Sequence, residues 1–291
     1  MTEPAARPNR PPPGRIAPEA MAAARGGAVE GLAWLGRAPE SKASVVYRAL
    51  RVVVRFLCFV VFRFRISTSG QEHIPAGGGY LLVAAAHRGW MDPFVVMHAL
   101  PVQPRAWFLG SAPSALTSRT REWLARTVGG LLPVWRGGLG IDAHIESAKA
   151  VIANGAVFVQ MPEGTVSGPA GRIGPFRNGW AIIAMRTDAP ILPLAMAGTE
   201  ELYVGRRMAS RVLRPTTVRE LAGLPAGAVL PEPGSKAELE LARVMSAHLA
   251  DILGPVVEAL YPATIDPPGH PRRLRKRLTW LLLRPGRLDR E

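Results

Sequence analysis

The sequence predicts a single α/β domain, a central mixed sheet flanked by helices and preceded by an amphipathic membrane-associated helix. Three observations predict it. Short apolar runs bounded by Gly, Pro or polar residues recur through the middle of the chain, and segments with helical apolar spacing alternate with them. An apolar content of 48% over 291 residues is enough for a sizeable core.

Residues 1–40 read as a disordered tail, because Pro4, Pro8, Pro11, Pro12, Pro13 and Pro18 crowd their first half. They also lack the charged start and apolar stretch of a secretory signal. From Ser44 to Phe62, SVVYRALRVVVRFLCFVVF carries Arg48, Arg51 and Arg55 in one narrow helical arc, with Val, Leu and Phe over most of the rest. Residues 41–63 are therefore expected as an amphipathic helix at a membrane interface, its arginines among lipid phosphates and its apolar side in the acyl region. A core helix with one solvated stripe is the alternative. No charge-free window reaches the ~18 apolar residues of a spanning helix, the longest being His73 to His87.

Phe62, Phe64 and Ile66 alternate with Arg63, Arg65 and Ser67, the period of a half-buried strand. Tyr80 to Ala86, Ala106 to Leu109, Ala156 to Gln160 and Ile191 to Ala195 read as buried strands. Between them Pro93 to Ala99, Ser118 to Val128, Asp142 to Ala153 and Gly179 to Arg186 read as helices. Beyond Thr199 the pattern weakens through the Pro/Gly-rich Pro215 to Gly234, which predicts a peripheral region. Ser235 and Glu238 then offer a capping box for a helix to about Leu253. The domain is placed at 64–260, with a basic tail at 261–291.

Thirty-six Lys and Arg against 22 Asp and Glu give +14, which suits nucleic acid, an anionic membrane or phosphorylated substrates. The segment from His270 to Glu291 holds eight basic and two acidic residues around the apolar run Leu278 to Leu283. Nucleic-acid binding calls for interleaved base-stacking aromatics, and this tail has Trp280 only, so lipid is the better partner. A solvated terminus is the bland alternative. Cys58 is the sole cysteine, which excludes an intrachain disulfide framework and a multi-cysteine zinc site. The six histidines show no H-E-x-x-H, so no metal is expected, and neither G-x-S-x-G nor a phosphate-binding P-loop is present.

Three stretches can carry chemistry. In AAAHRGWMDPF, His87 follows a predicted strand and Asp92 precedes Pro93. A carboxylate that holds one imidazole N–H fixes the tautomer and leaves the other nitrogen to accept a proton. Asp92 before Pro93 also reads as an ordinary helix N-cap. In VFVQMPEGTVSG, a strand runs into Glu163, Gly164 and Thr165, a turn where backbone N–H groups favour anions. In GGLLPVWRGG, Arg136 sits between an apolar run and two glycines, a setting suited to a phosphate. Arg172 and Arg177 in GRIGPFRNG add positive charge.

In this order and at these separations the segments resemble the glycerolipid acyltransferase family, whose best-known members are the 1-acylglycerol-3-phosphate (lysophosphatidic acid) acyltransferases. The likeness runs from SGQEHIP through His87 and Asp92, GLLPVWR, PEGT and FRNG to ILPLAMAGTEEL, roughly Arg65 to Leu202. The resemblance implies a membrane-associated enzyme at the cytoplasmic face. It would move an acyl group directly from a coenzyme A or acyl-carrier-protein thioester to a lysolipid hydroxyl, with membrane lipids as partners and no cofactor or metal. By the family pattern His87 is the general base and Asp92 orients it. Arg136, Glu163, Gly164, Thr165 and Arg177 bind the acceptor's glycerol phosphate, and Pro193 belongs to the acyl-binding block.

Three positions depart from the pattern. Ala86 stands where Asn is common, Gly89 where Ser is common, and Val166 where PEGT is usually followed by a phosphate-gripping Arg. The last leaves the acceptor open between lysophosphatidic acid, another lysophospholipid, an amino-acid lipid and a glycolipid. A non-catalytic basic membrane-binding protein is the reading from a different class.

Overall fold

The computed structural model describes residues 31–283, apart from 113–115, 117, 129, 135–140 and 167. In chain order the elements are α1 (Leu32–Leu35), α2 (Val45–Phe56) continued by a π-helical turn (Leu57–Val61), β1 (Arg65–Ser69), β2 (Tyr80–Ala85), α3 (Asp92–Ala99) and β3 (Ala106–Ser111). They continue with α4 (Arg119–Val128), β4 (Leu131–Val134), α5 (Ile141–Ala153), β5 (Val157–Gln160), α6 (Gly179–Thr187) and β6 (Ile191–Ala197). Last come β7 (Arg207–Val212), α7 (Val218–Ala222), α8 (Lys236–Leu260) and α9 (Arg272–Leu283).

The strands form one seven-stranded sheet in the order β1-β7-β6-β2-β5-β3-β4. Every pairing is parallel except β6 with β7, so the predicted mixed α/β sheet is present. Because successive side chains leave a strand on opposite faces, β2 feeds two cores. Leu81, Val83 and Ala85 pack beneath α5, α6 and α8, while Tyr80, Leu82 and Ala84 pack with Val95, Val96 and Ala99 of α3 and with Cys58 and Phe64. An apolar sequence on both faces is what a strand between two helical layers requires.

Several boundaries differ from the sequence expectation. Residues 31–40 were expected in the disordered tail, yet Trp34 and Leu35 are buried in the core under α5, Trp107 Nε1 donates to Glu40 O at 3.0 Å, and Arg105 N donates to Ser41 O at 2.8 Å. The large apolar surface of the indole outweighs the poor local propensity around it. The rest of that tail, 1–30, lies outside the described residues. β1 starts at Arg65 and not Phe62, because Phe62 and Phe64 close the preceding turn with stacked rings 5.4 Å apart.

The region beyond Thr199 is not peripheral. β7 enters the sheet between β1 and β6. α8 runs seven residues past Leu253, through Pro255, and buries Ala242, Met245, Leu249, Leu253 and Val257 in the main core. Ser235 Oγ caps α8 by accepting Glu238 N at 3.1 Å, but the Glu238 carboxylate accepts Gly234 N and both Nε and Nη2 of Arg186, tying α8 to α6. The expected capping box is therefore half formed. The basic tail expected at 261–291 forms α9 in its described part, and its residues 284–291 lie outside the described residues.

α2 packs with a mixed face inward and a broad apolar face outward. Ser44 Oγ caps its start, and Tyr47, Leu50, Arg51, Val54 and Cys58 turn inward. Val45, Val46, Val52, Val53, Phe56 and Val60 face out, Val45 with 82% of its surface exposed. Of the arginine stripe Arg51 turns onto the protein, while Arg48 and Arg55 are exposed. Arg51 donates to Pro101 O at 2.9 Å and to Met97 O and Leu100 O, carbonyls at the end of α3 that no helical N–H can satisfy. Arg48 Nε donates to Ala43 O at 3.2 Å, and Arg55 lies over the Phe59 ring. Among the described residues no helix is long and apolar enough to cross a membrane.

Leu249→Ala is expected to lower the unfolding free energy by about 2–5 kcal/mol, the cost of a core cavity. Val244→Ala, on the exposed side of the same helix, is expected to change it by no more than ~0.5 kcal/mol. Urea titration of the two variants separates a core α8 from a peripheral one.

Candidate active site

β2 and β5 are parallel neighbours with Val83 paired to Gln160, so their carboxyl ends emerge side by side. His87 lies just beyond the first end and Glu163 just beyond the second. Asp92 opens α3 with Met91 in the capping position, and its side chain turns back on the loop instead of capping the helix. The N-terminal end of α3 favours a carboxylate there.

Asp92 is fully buried and one oxygen does the work. Its Oδ2 accepts His87 Nδ1–H at 2.6 Å, Arg88 N–H at 2.6 Å and Gly89 N–H at 2.9 Å. Oδ1 has no hydrogen-bond partner among the described residues. An oxygen facing three N–H groups can only accept, so the imidazole proton belongs on Nδ1. The His87 side chain is 22% exposed, against 0% for Asp92. Its Nε2 makes no hydrogen bond among the described residues, and so presents a lone pair from a ring whose orientation is fixed behind it.

Glu163 is placed differently from the acceptor-binding role expected of it. Its carboxylate is buried, and it accepts His87 N–H at 2.9 Å through Oε2 and Gly174 N–H at 2.9 Å through Oε1. Desolvation raises its pKa, opposed by the two backbone N–H groups and by Arg88 and His87. With both oxygens occupied and no exposed surface, Glu163 braces the His87 loop from inside. Arg88, which sequence reasoning overlooked, completes the brace. It is buried, pairs with Glu163 at 3.8 Å and donates to Pro169 O at 3.0 Å. Its adjacency to His87 in the sequence was the available signal.

Gly164 and Thr165 stay at the surface of the turn. Gly164 has φ +67°, and a Cβ there would meet Arg177 Cδ at 2.9 Å, so the Arg177 side chain lies against this glycine. Arg172 is drawn to Glu258 of α8 at 3.8 Å. Val166 is exposed, leaving an apolar side chain at the lip of the turn. Pro193 does not line an open acyl site. It is buried in β6, paired with Val83, on the sheet face of Ile191 and Ala195. Arg136 follows β4 in sequence and lies outside the described residues.

The other sheet face carries a small apolar groove, partly open to solvent. It runs between α2 and α3, and its lining includes Leu50, Val54, Phe59, Ile66, Met91 and Phe94. Met91 is the residue before Asp92, so the groove begins beside the His/Asp loop. Among the described residues no three His, Cys, Asp or Glu side chains gather where a metal could bind.

Residues 65–197 match the family model described as Acyltransferase. These residues form an acyltransferase-family domain. The His/Asp loop, the PEGT turn and the Pro193 block all fall inside it. The chain is 35% identical over 78 residues to a 1-acyl-sn-glycerol-3-phosphate acyltransferase of Cocos nucifera. That match covers 27% of this chain and 24% of the relative, about a quarter of its length. Its fold is also that of a solved structure, the 1-acyl-sn-glycerophosphate (LPA) acyltransferase PlsC from Thermotoga maritima. The TM-score is 0.55 and the identity 21%, over 76% of this chain and 82% of that one.

If the Glu163 carboxylate holds the loop of this acyltransferase domain, Glu163→Ala should speed amide hydrogen exchange at His87 and Gly174 by about 10–100-fold, the loss of a charge-assisted hydrogen bond. Unchanged protection at both amides would show that the brace lies elsewhere.

Proposed function

We propose that this protein is a membrane-associated O-acyltransferase. It moves a fatty acyl group from acyl-CoA or an acyl-carrier-protein thioester to the hydroxyl of a lysolipid, with 1-acyl-sn-glycerol 3-phosphate as the leading acceptor and phosphatidic acid as product. The observation that carries this reading is the geometry of His87. In a domain of the acyltransferase family, its Nδ1–H is held by a buried carboxylate at 2.6 Å while Nε2 is open.

The chemistry follows from that geometry. Nε2 takes the proton of the acceptor hydroxyl as its oxygen attacks the thioester carbonyl. Asp92 stabilises the imidazolium that forms, and backbone N–H groups near the loop stabilise the oxyanion. The new C–O bond is complete when the C–S bond breaks, and the proton on Nε2 passes to the departing sulfur. Ester and free thiol leave, and the enzyme returns to its starting state without an acyl-enzyme. A thioester is already activated, so a positioned base supplies enough.

The groove between α2 and α3 has an apolar lining suited to an acyl chain, and it begins beside the motif. This supports acyl binding there in place of Pro193. The acceptor phosphate is assigned to Arg136, Arg177 and the surface turn at Gly164 and Thr165, with Glu163 supporting that turn from inside. The outward apolar side of α2 favours burial at the bilayer surface, where an interfacial helix would place the site among its amphiphilic substrates. Water-soluble thioester carriers place that surface on the cytoplasmic face. Val166, exposed and uncharged, favours a second reading in which the same chemistry acts on another lysophospholipid, an amino-acid lipid or a glycolipid.

His87→Ala is expected to reduce thiol release from acyl-CoA plus lysolipid by at least about 10²–10⁴-fold, the range for a lost general base, with an unchanged circular dichroism spectrum. Activity within a fewfold of the parent would sink the base assignment, and a parent chain that releases no thiol with any acceptor favours the non-catalytic membrane protein. Arg136→Ala is expected to raise KM for a phosphorylated acceptor roughly tenfold or more, as a lost charge-assisted hydrogen bond does, and to leave KM for an uncharged lysolipid alone. Acceptor kinetics with one fixed acyl-CoA measure both.

A further inference from the structure

The basic residues of α9 fall into two sets. One set turns onto the domain. Arg272 and Lys276 both donate to Glu201, Lys276 at 2.8 Å, and Arg272 lies over the Tyr203 ring. Arg275 meets His270 Nε2 at 2.6 Å, and the buried Thr279 accepts Val204 N–H through Oγ1 at 2.6 Å. These contacts dock one side of the helix on the loop before β7. That loop is itself bonded to the chain just after α2, since Gly205 N donates to Phe62 O at 2.7 Å.

The second set faces away. Arg273, Leu274, Arg277 and Leu278 occupy adjacent positions on two successive turns and are all exposed, Leu274 by 60% and Leu278 by 44%. Among the described residues Arg273 and Arg277 make no ion pair and no hydrogen bond. The helix therefore neutralises its inner cations on Glu201 and leaves a face of alternating guanidinium and leucine unpartnered.

We propose that this outer face of α9 is a docking surface for anionic phospholipid, acting as a second membrane contact beside α2. The residue types select the partner. A guanidinium fits a phosphodiester with two parallel hydrogen bonds. Leucines in the same row gain by entering the acyl boundary a few ångströms deeper, whereas against nucleic acid they would cover polar backbone. Attachment of the loop that holds α9 to residue 62 joins this helix to the chain that follows α2, whose apolar side faces outward. The proposal extends the membrane reading of α2 and is independent of the catalytic one. Its consequence is selectivity: α2 alone recognises any bilayer, and α9 adds preference for a negative one.

The test is sedimentation of the full chain with phosphatidylcholine vesicles, with and without phosphatidylglycerol, beside R273E/R277E and L274S/L278S. The parent is expected to bind the anionic vesicles at least about tenfold more tightly than the neutral ones, with the difference shrinking as salt rises. R273E/R277E should lose that preference and keep the parent's affinity for neutral vesicles. L274S/L278S should weaken binding to the anionic vesicles as well. Equal affinity of parent and R273E/R277E for anionic vesicles overturns the proposal, as does a parent that prefers duplex DNA to those vesicles at the same salt. Thiol release from detergent-dispersed substrates is expected to match in all three chains. A loss of lipid preference with activity intact thus concerns α9 alone, and absence of activity in the parent concerns the catalytic reading alone.

Discussion

The buried carboxylate of Asp92 is the constraint around which the site is organised. A charge with no exposed surface and, among the described residues, no Lys or Arg paired with it must be satisfied by dipoles, and here it collects three N–H groups from His87, Arg88 and Gly89 on a single oxygen. Those bonds wrap the loop around the carboxylate. The loop can close in that way only because α3 begins at Asp92 and offers its positive end to the same group. Tautomer, ring orientation and access of His87 all follow from one buried acid.

The sheet supplies the second condition. Loops after β2 and β5 come together because those strands are parallel neighbours, and the pairing would be lost by any strand order that separates them. Glu163 and Arg88 then convert proximity into rigidity. The carboxylate spans two backbone N–H groups from separate loops, and the guanidinium spans the carboxylate and the far side of the PEGT turn. Burial raises the pKa of Glu163 while the N–H groups and Arg88 oppose the rise. That is the pattern of a charge kept inside for position and compensated where it sits.

What could be read from the sequence divides along physical lines. The strands that lie in the middle of the sheet were legible because burial on both faces leaves an uninterrupted apolar run, as in Tyr80 to Ala85. β4 and β7 were not, because β4 is a four-residue strand at the sheet edge and Arg207, Ser210 and Arg211 break the apolar run of β7. The His/Asp pair was legible from its place in an ordered set of motifs, whereas its spacing alone left Asp92 open as an ordinary helix N-cap. The role of Glu163 was not, because a carboxylate at the end of a strand looks the same facing solvent or facing inward. Direction also escaped the reading of α2. Its arginine stripe is plain in the sequence, but only tertiary structure reveals that the open carbonyls of α3 sit opposite Arg51 and draw that one arginine inward.

That last contact ties two parts of the molecule that sequence keeps apart. α3 is an eight-residue rod, about 12 Å long. Its first residue is the carboxylate that orients the imidazole, and its far end is gripped by a guanidinium from the outermost helix. A sideways displacement of that outer helix is therefore transmitted through a stiff strut to the acid, with no hinge along the way to absorb it.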